Sequence, residues 1–147
     1  MSVEIKLVEG YMETYMEVLG DFVKDQIDRD FQIFADALKV KHNVLNCFTY
    51  VDGKLAGYKI GFEQRPKYFE SWIGAVAEKH RRKGLATAMM QKQHDWAKNH
   101  GYRIIETITT GDNAPMLIAN LKAGFEVVGT FLDRKKALKV TIQKILD

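Results

Sequence analysis

The amino-acid sequence predicts an α/β fold (mixed α+β) in which a mixed, mostly antiparallel sheet of six or seven strands is flanked by about four helices. Three observations predict it: segments whose apolar residues alternate, segments whose apolar residues recur at helical spacing, and the order of the two kinds. That order is strand, two helices, three strands, helix, strand, helix, two strands. Helices that intervene between strands cover the faces of a sheet. No repeat or linker divides the chain, so we expect one domain over residues 1–147.

The first third of the chain begins with a strand and continues with helices. Val3, Ile5 and Leu7 alternate with charged residues, which is typical of a half-buried strand. Residues 11–40 are rich in helix formers and carry apolar residues at helical spacing, which predicts two helices broken near residues 26–29.

A hairpin and a third strand follow these helices. Asp52-Gly53 lies between apolar runs at residues 46–51 and 55–62, and this dipeptide is a strong indication of a two-residue hairpin turn. Residues 67–76 alternate and predict the next strand. The remaining predicted elements are a helix to about His100 that Gly101 ends, a strand over 102–109, a helix with Pro115 in its first turn that ends at Gly124, and strands over 125–132 and 137–146.

Composition and charge exclude several classes of protein. The 147 residues are 46% hydrophobic and 28% charged, as in ordinary soluble proteins. A net charge of +3 does not by itself argue for nucleic-acid binding, for which a longer basic stripe is usual. The single cysteine, Cys47, excludes a disulfide within the chain. The N-terminus lacks an apolar signal region and no apolar run is long enough to span a membrane, so we expect a cytoplasmic protein. We expect no metal site, because His80 and His94 lack ligand spacing.

The segment over residues 76–86 is the most informative about function. A predicted strand ends there, a basic loop with Arg81, Arg82 and Lys83 follows, and a helix begins beside Gly84. The first N–H groups of a helix have no partner within it, and the helix dipole places partial positive charge at the same end. Small residues let this backbone approach a diphosphate closely. The segment therefore predicts a phosphate site, and it matches neither a P-loop nor a dinucleotide fingerprint.

Two motifs in this part of the chain resemble those of the GNAT family of N-acetyltransferases. Residues 81–86, Arg-Arg-Lys-Gly-Leu-Ala, are similar to the family's pyrophosphate loop, Arg/Gln-x-x-Gly-x-Gly/Ala. Residues 76–81 resemble its strand-end pattern, with Glu78 in place of the usual proline, and residues 113–125 resemble its second motif. The resemblance extends from about Leu55 to the C-terminus. It implies the acyl-CoA N-acyltransferase fold and acetyl-CoA as cosubstrate.

The resemblance also implies which residues contact the cofactor. They belong to the end of a splayed strand, to the loop and first turn of the helix, and to the second motif. In order they are Ala75, Val76, Arg81, Arg82, Lys83, Gly84, Leu85, Ala86, Thr87, Asn113 and Asn120. For Asn113, an N-terminal helix cap is a nearly equal interpretation.

The resemblance implies direct attack of an amine on the thioester. The amine must first lose a proton, which costs a lysine side chain about 5 kcal/mol at pH 7. Glu70 is the first candidate for the base, because its offset from the loop resembles that of the catalytic glutamate in the family's histone-modifying branch. Glu106 is the rival, and a water chain ending at either is left open. Strand alternation would place Glu70 on one face with Trp72, Gly74 and Val76, and the Val76 backbone N–H is the candidate oxyanion donor.

One position departs from the family pattern. Many members carry a tyrosine four residues before the glycine of the second motif, and Asn120 stands at that position here. An amide is not an acid for a thiolate, so either Asn120 hydrogen-bonds near the thioester sulfur or the thiolate leaves without an acid. A simple thiol has a pKa of about 8.5, so an acid is helpful but not obligatory.

The motifs do not identify the acceptor. Carboxylates make the region over residues 9–28 acidic. They either form the rim of an acceptor site that favours a cationic amine or belong to a helix face exposed to solvent. We predict an acetyl-CoA-dependent N-acetyltransferase acting on a primary amine of a small molecule or a peptide. Two alternatives stay open: a catalytically silent CoA-binding regulatory module, and a basic RNA- or ribosome-associated domain that the clusters at residues 79–83 and 134–136 suggest. A homodimer is also left open.

Overall fold

Seven strands form one sheet in the computed structural model, which describes residues 1–27 and 30–147. The strands are β1 (Val3–Glu9), β2 (His42–Val51), β3 (Lys54–Arg65), β4 (Tyr68–Val76), β5 (Ile104–Thr110), β6 (Glu126–Leu132) and β7 (Leu138–Ile145). They lie in the order β1-β2-β3-β4-β5-β7-β6. The β4–β5 pair is parallel and the other neighbours are antiparallel. The predicted mixed, mostly antiparallel sheet is confirmed.

Four α-helices accompany the sheet within the described residues, as predicted. They are α1 (Glu13–Gln26), α2 (Gln32–Leu38), α3 (Leu85–Asn99) and α4 (Ala114–Lys122). The predicted break near residues 26–29 includes Asp28 and Arg29, which lie outside the described residues; α1 ends before it and α2 begins after it. None of the helices in the described part of the chain combines the length and the apolar character needed to cross a membrane.

Turn residues set the boundaries of these elements. Asp52 and Gly53 both take positive φ, 50° and 81°, which is the two-residue turn that suits the twist of an antiparallel hairpin. Gly101 takes a φ of 87° just after α3, and Gly124 takes a φ of 100° just after α4. A left-handed residue at this position ends a helix at little cost when it is glycine. The predicted hairpin and both helix ends are therefore confirmed.

Two apolar cores cover the two faces of the sheet. On one face α1 and α2 pack through residues that include Leu19, Leu38 and Ile60. On the other face α3 packs through residues that include Met89 and Ile105. Cys47 lies fully buried in this second core, and burial raises the pKa of its thiol to about 12. A buried thiol that stays protonated is a packing residue and not a nucleophile.

A β-bulge in β4 changes which side chains share a face. Ile73 lies opposite Ile60 on β3, but the next pair is Ser71 with Gly61, so Trp72 is the extra residue. Beyond the bulge, Ile73 packs with Trp72 in the core beneath α1 and α2. The expectation that Glu70 shares a face with Gly74 and Val76 is therefore wrong, because the bulge shifts the alternation by one residue.

The parallel strands β4 and β5 separate soon after they meet. They pair only at Tyr68 with Ile104, Phe69 with Ile105 and Glu70 with Glu106, although β4 continues to Val76 and β5 to Thr110. The sheet therefore opens into a gap, called here the β4–β5 gap, which runs from the Glu70–Glu106 pair to the end of β4.

Candidate active site

The loop between β4 and α3 is shaped by two residues with left-handed backbone. After a short 3₁₀ turn (Glu78–His80), Arg82 takes a φ of 63° and Gly84 a φ of 78°. A Cβ placed on Gly84 would meet no atom within 4 Å. Glycine is thus needed here for its backbone conformation and not for packing, and the space beside it is open to a ligand. The turn forms with Glu78 where the family pattern has proline.

Three backbone N–H groups at the start of α3 are available for an anion. Gly84 caps the helix without a side chain, and the first helical hydrogen bond runs from the Ala88 N–H to the Gly84 carbonyl at 3.0 Å. The N–H groups of Leu85, Ala86 and Thr87 therefore have no partner within the helix. The side chain of Leu85 is buried against Val51 and Ala56, which anchors the turn and leaves only its backbone for a ligand.

The loop carries strong positive charge. Arg81, Arg82 and Lys83 are all exposed. Burial lowers the pKa of His80, and the nearby ammonium groups of Lys83 and Lys79 lower it further, which disfavours a charged ring. The Arg81 Nε donates a hydrogen bond of 2.9 Å to the Val76 carbonyl, which ties the loop to the end of β4.

The end of β4 presents backbone groups to the β4–β5 gap. The Ala77 N–H donates to the Ala56 carbonyl of β3 at 2.8 Å. Hydrogen-bonded and non-hydrogen-bonded pairs alternate along an antiparallel ladder, so Ala75 also bonds to β3, while Val76 and Gly74 direct their N–H groups away from it. Val76 thus faces the gap as expected. The second backbone N–H that faces the gap belongs to Gly74 and not to Ala75, because the Ala75 backbone is hydrogen-bonded to β3.

The two asparagines of the second motif lie on α4. The Oδ1 atom of Asn113 accepts a hydrogen bond of 3.4 Å from the Met116 N–H, so Asn113 is the cap that the sequence offered as one interpretation. It stays exposed, so the cap leaves its amide accessible. Asn120 is only 5% exposed, and its amide makes no hydrogen bond to any described residue. Its polar atoms are not among the side-chain atoms sealed from solvent, so the amide remains accessible to a ligand.

The two rival carboxylates, Glu70 and Glu106, lie side by side. They are register partners where β4 and β5 meet. The Gln64 Nε2 donates to both, at 3.0 Å to Glu70 and 2.7 Å to Glu106. The Gln143 Nε2 donates to the second oxygen of Glu106 at 2.6 Å. Glu106 is buried with both oxygens bonded, whereas Glu70 is half-buried with one oxygen free of hydrogen bonds among the described residues.

The surroundings favour a basic carboxylate at Glu70. Burial raises the pKa of Glu70 above its usual range. The hydrogen bond from Gln64 opposes this shift, the charge of Glu106 adds to it, and the ammonium of Lys41 opposes it. A carboxylate with a raised pKa is a stronger base than one in water and is still ionised at neutral pH when the shift is moderate.

A cleft of about 400 Å³ opens beside Glu70. It lies on the α2 side of the sheet, and its walls include Lys41, Phe62, Glu63, Gln64, Glu70 and Trp72. The Trp72 ring packs edge-on against Phe34 and Phe62, both at 5.5 Å between centroids, so Trp72 is at once a core residue and a wall of the cleft. The carboxylates of α1 are exposed and do not line the cleft within the described residues, as expected for a solvated helix face.

Three residues of this region were not singled out from the sequence: Gln64 and Gln143, which hold the carboxylates, and Lys41, which lines the cleft. Side chains alternate along β7, so Gln143 lies on the other face of the sheet from the buried Ile142. This is the face of its register partner Glu106, and the alternation was the available indication that Gln143 belongs to the site. Among residues 1–27 and 30–147, no three potential metal-ligand side chains come together, and the absence of a metal stays a prediction.

A family model described as the acetyltransferase (GNAT) family matches residues 8–125. A curated relative, the L-2,4-diaminobutyric acid acetyltransferase of Nocardia farcinica (strain IFM 10152), is 31% identical over 99 residues, which are 66% of this chain and 47% of that protein. The chain therefore spans about half the length of this relative.

Solved structures share the fold. The ribosomal-protein-S18-alanine N-acetyltransferase from Escherichia coli gives a TM-score of 0.80 at 14% identity and covers 98% of this chain and 95% of its own. An aminoglycoside 6'-N-acetyltransferase complexed with coenzyme A gives 0.76 at 12% identity, covering 98% and 97%. At these identities the likeness shows the fold alone, whereas the family model covers most of the sequence. The chain belongs to the acetyltransferase (GNAT) family.

Proposed function

We propose that this protein is an acetyl-CoA-dependent N-acetyltransferase that moves an acetyl group from the CoA thioester to a primary amine. The observation that carries the proposal is the β4–β5 gap, which has the basic loop at one end and the Glu70–Glu106 pair at the other. One end is suited to hold a diphosphate and the other to accept a proton from an amine. Family membership and a relative solved with coenzyme A support the same cosubstrate.

The loop and the first turn of α3 fit the CoA pyrophosphate. The open space beside Gly84 admits a bulky group, and the N–H groups of Leu85, Ala86 and Thr87 point from the positive end of the helix dipole. Arg81, Arg82 and Lys83 add formal charge. Each hydrogen bond to a charged group contributes about 1.5–3 kcal/mol, so a few of them reach the roughly 8 kcal/mol of a micromolar complex.

Acetyl-CoA supplies the activated acetyl group, and the end of β4 orients it. The Val76 N–H faces the gap and would donate to the oxyanion that forms when the amine adds to the carbonyl. A single donor of this kind is typically worth about 10²–10³ in kcat. On α4, the Asn120 amide has no partner among the described residues and stays accessible, so it would bond near the thioester sulfur, and Asn113 would contact the pantetheine arm. Neither amide is assigned a proton transfer.

Glu70 is the proposed base. Its free carboxylate oxygen opens onto the cleft, and the environment raises its pKa toward the working pH of an enzyme. Glu106 has both oxygens bonded to glutamine amides, so it acts through its charge and holds Gln64 in place. The acceptor ammonium would give a proton to Glu70, directly or through a water, before or during attack on the thioester.

Two measurements test the proposal. Thermal-shift titration with acetyl-CoA and with free CoA is expected to raise Tm. At a cofactor concentration of one hundred times Kd, the free energy of unfolding should rise by about 2.7 kcal/mol. Release of free thiol from acetyl-CoA in the presence of an amine panel then reports transfer. The absence of a shift at saturating cofactor would overturn the CoA site. A shift without thiol release on any amine would instead identify a silent CoA-binding module.

A further inference from the structure

The two edges of the sheet differ in how they resist a further strand. At one edge, β1 carries charged side chains at three of its seven positions: Glu4, Lys6 and Glu9. At the other edge, β6 carries a single charge, Glu126 at its first position, and all seven of its residues are exposed. Charged side chains along an edge strand oppose pairing with another chain, whereas an apolar edge favours it. The β6 edge is therefore the one that is suited to take a further strand.

Half-exposed apolar residues lie on β6 and on the elements that adjoin it in the sheet or in the chain. On β6 they are Val127, Val128, Phe131 and Leu132; Leu138 on β7 is the register partner of Leu132; and Met116, Ile118 and Leu121 lie on α4, the helix that leads into β6. These eight residues, called here the β6 surface, are each 43–64% exposed. At roughly 90 Å² each they expose on the order of 700 Å², which approaches the about 800 Å² that each partner buries in a stable interface.

The two ends of β6 carry opposite charges. Glu126 begins the strand, and Arg134, Lys135 and Lys136 follow it in the turn to β7. Within the part of the chain that the structure describes, none of these four side chains makes an ion pair or a hydrogen bond. The acidic residue of the turn, Asp133, is held within it by two backbone N–H groups at 2.8 and 2.9 Å. Antiparallel alignment of two β6 strands would place Glu126 of each copy at the basic turn of the other.

We propose that a second copy of this chain binds the β6 surface, with the two β6 strands antiparallel across a two-fold axis. The surface is self-complementary, because each copy supplies the apolar residues and both charges that the other requires. The bulge at Val128 lies near the start of the strand, and the register with β7 is regular from Gly129 to Leu132, so these residues are suited to form the new ladder. The two sheets would join into one. This inference concerns association alone and does not depend on the proposed function.

Sedimentation velocity of the full-length protein at several concentrations tests the dimer. The wild-type chain is expected to reach twice its monomer mass at about micromolar concentration, as an interface of this area allows. Phe131→Lys and Leu132→Lys are each expected to raise the dimer Kd by at least about 10-fold, because each places a charge in the apolar interface from both copies. Ile33→Lys makes the same kind of change at an exposed residue of α2 and is expected to leave the Kd unchanged. The Tm of each variant, measured alongside, reports that it is folded.

Reversal of one charge tests the antiparallel arrangement. Glu126→Lys is expected to raise the dimer Kd by about 2- to 30-fold, the range for two exposed ion pairs, and added salt should shrink that difference. Glu4→Lys makes the same charge change on β1 and is expected to have no effect on the Kd. A wild-type chain that stays monomeric at about 100 µM, well above the Kd of a stable interface, would overturn the inference. So would a dimer whose Kd is unchanged in Phe131→Lys and Leu132→Lys, and an unchanged Kd in Glu126→Lys would overturn the antiparallel arrangement.

Discussion

Substitution of the two paired carboxylates distinguishes the base from its neighbour. Glu70→Gln is expected to lower kcat/KM at neutral pH by about 10²–10⁴, the usual contribution of a general base, and to lose less at high pH, where more of the amine is already neutral. It is also expected to remove the limb that Glu70 sets in the pH profile and to leave only the limb set by ionisation of the amine itself. Glu106→Gln is expected to keep that limb and move it to lower pH, because the charge of Glu106 raises the pKa of Glu70.

The repulsion between the Glu70 and Glu106 carboxylates can be estimated, because both accept a hydrogen bond from the same Gln64 amide and this limits the distance between them. Both Oε1 atoms lie within 3.0 Å of the same nitrogen. Two like charges at most about 6 Å apart repel by about 3 kcal/mol at an effective dielectric constant of 20. A repulsion of this order is large enough to displace the acid limb measurably in Glu106→Gln. The assay is thiol release from acetyl-CoA across pH, with the amine below its KM.

Stability provides the control for this pair of variants. The folded-state pKa of Glu70 is raised, so its contribution to stability is fully present below the unfolded pKa and is lost as pH rises through the folded value. At pH 7 the charged form is therefore a cost, and Glu70→Gln is expected to leave Tm unchanged or higher. A Glu70→Gln variant with the wild-type pH profile would refute the assignment, and loss of the limb in Glu106→Gln alone would transfer the role to Glu106.

Three further predictions concern the cofactor loop, the sheet and α4. Gly84→Ala is expected to weaken CoA binding by about 5- to 30-fold in a titration, because a left-handed alanine costs about 1–2 kcal/mol, the open loop relaxes to avoid that cost, and CoA must then restore the binding conformation. Gly101→Ala carries the same strain at the far end of α3, away from the loop, and should lower Tm but leave CoA affinity unchanged. Gly61→Ala places a Cβ 2.5 Å from a β4 carbonyl oxygen and is expected to lower Tm by several degrees, whereas Gly20→Ala, with open space around it in α1, should not. Asn120→Ala is expected to lower kcat by about 2- to 10-fold and to leave any alkaline limb of the pH profile in place, because an amide donates a hydrogen bond but no proton. Disappearance of that limb would assign Asn120 a larger role.

Local patterns predicted most of the elements correctly because their determinants are local. The β2–β3 turn depends on Asp52 and Gly53 alone, both with positive φ. The end of α3 depends on Gly101, and the start of α4 depends on Asn113 followed by proline. Each of these features lies within a few residues of the boundary it sets, so a single sequence contains the information.

The β-bulge at Trp72 could not be predicted in this way. The adjacent apolar residues Trp72 and Ile73 interrupt the alternation over residues 67–76, but such a pair does not show which residue is extra or where the partner strand shifts. The bulge lies just after the last β4–β5 pair, where β4 continues along β3 and separates from β5, and this position is visible only in the assembled sheet. Its consequence for the site is direct, since it moves Gly74 and Val76 to the face opposite Glu70.

The bridge between the carboxylates was equally inaccessible. Gln64 comes from β3 and Gln143 from β7, and β7 reaches Glu106 only because it inserts between β5 and β6. This strand order does not follow the order of the chain. The sequence therefore could not show that the two candidate bases, Glu70 and Glu106, lie side by side.

The cofactor loop and the acceptor cleft differ in how they are encoded. The proposed pyrophosphate contacts lie within seven consecutive residues, 81–87, so a motif suffices to recognise them. The cleft draws its walls from the end of α2 and from β2, β3 and β4. A substitution at Lys41 would change the charge of this cleft and touch no residue of the loop. Acceptor specificity can thus diverge while the cofactor motif stays the same, which explains why this motif identifies the family and leaves the amine to be found from the charges of the cleft.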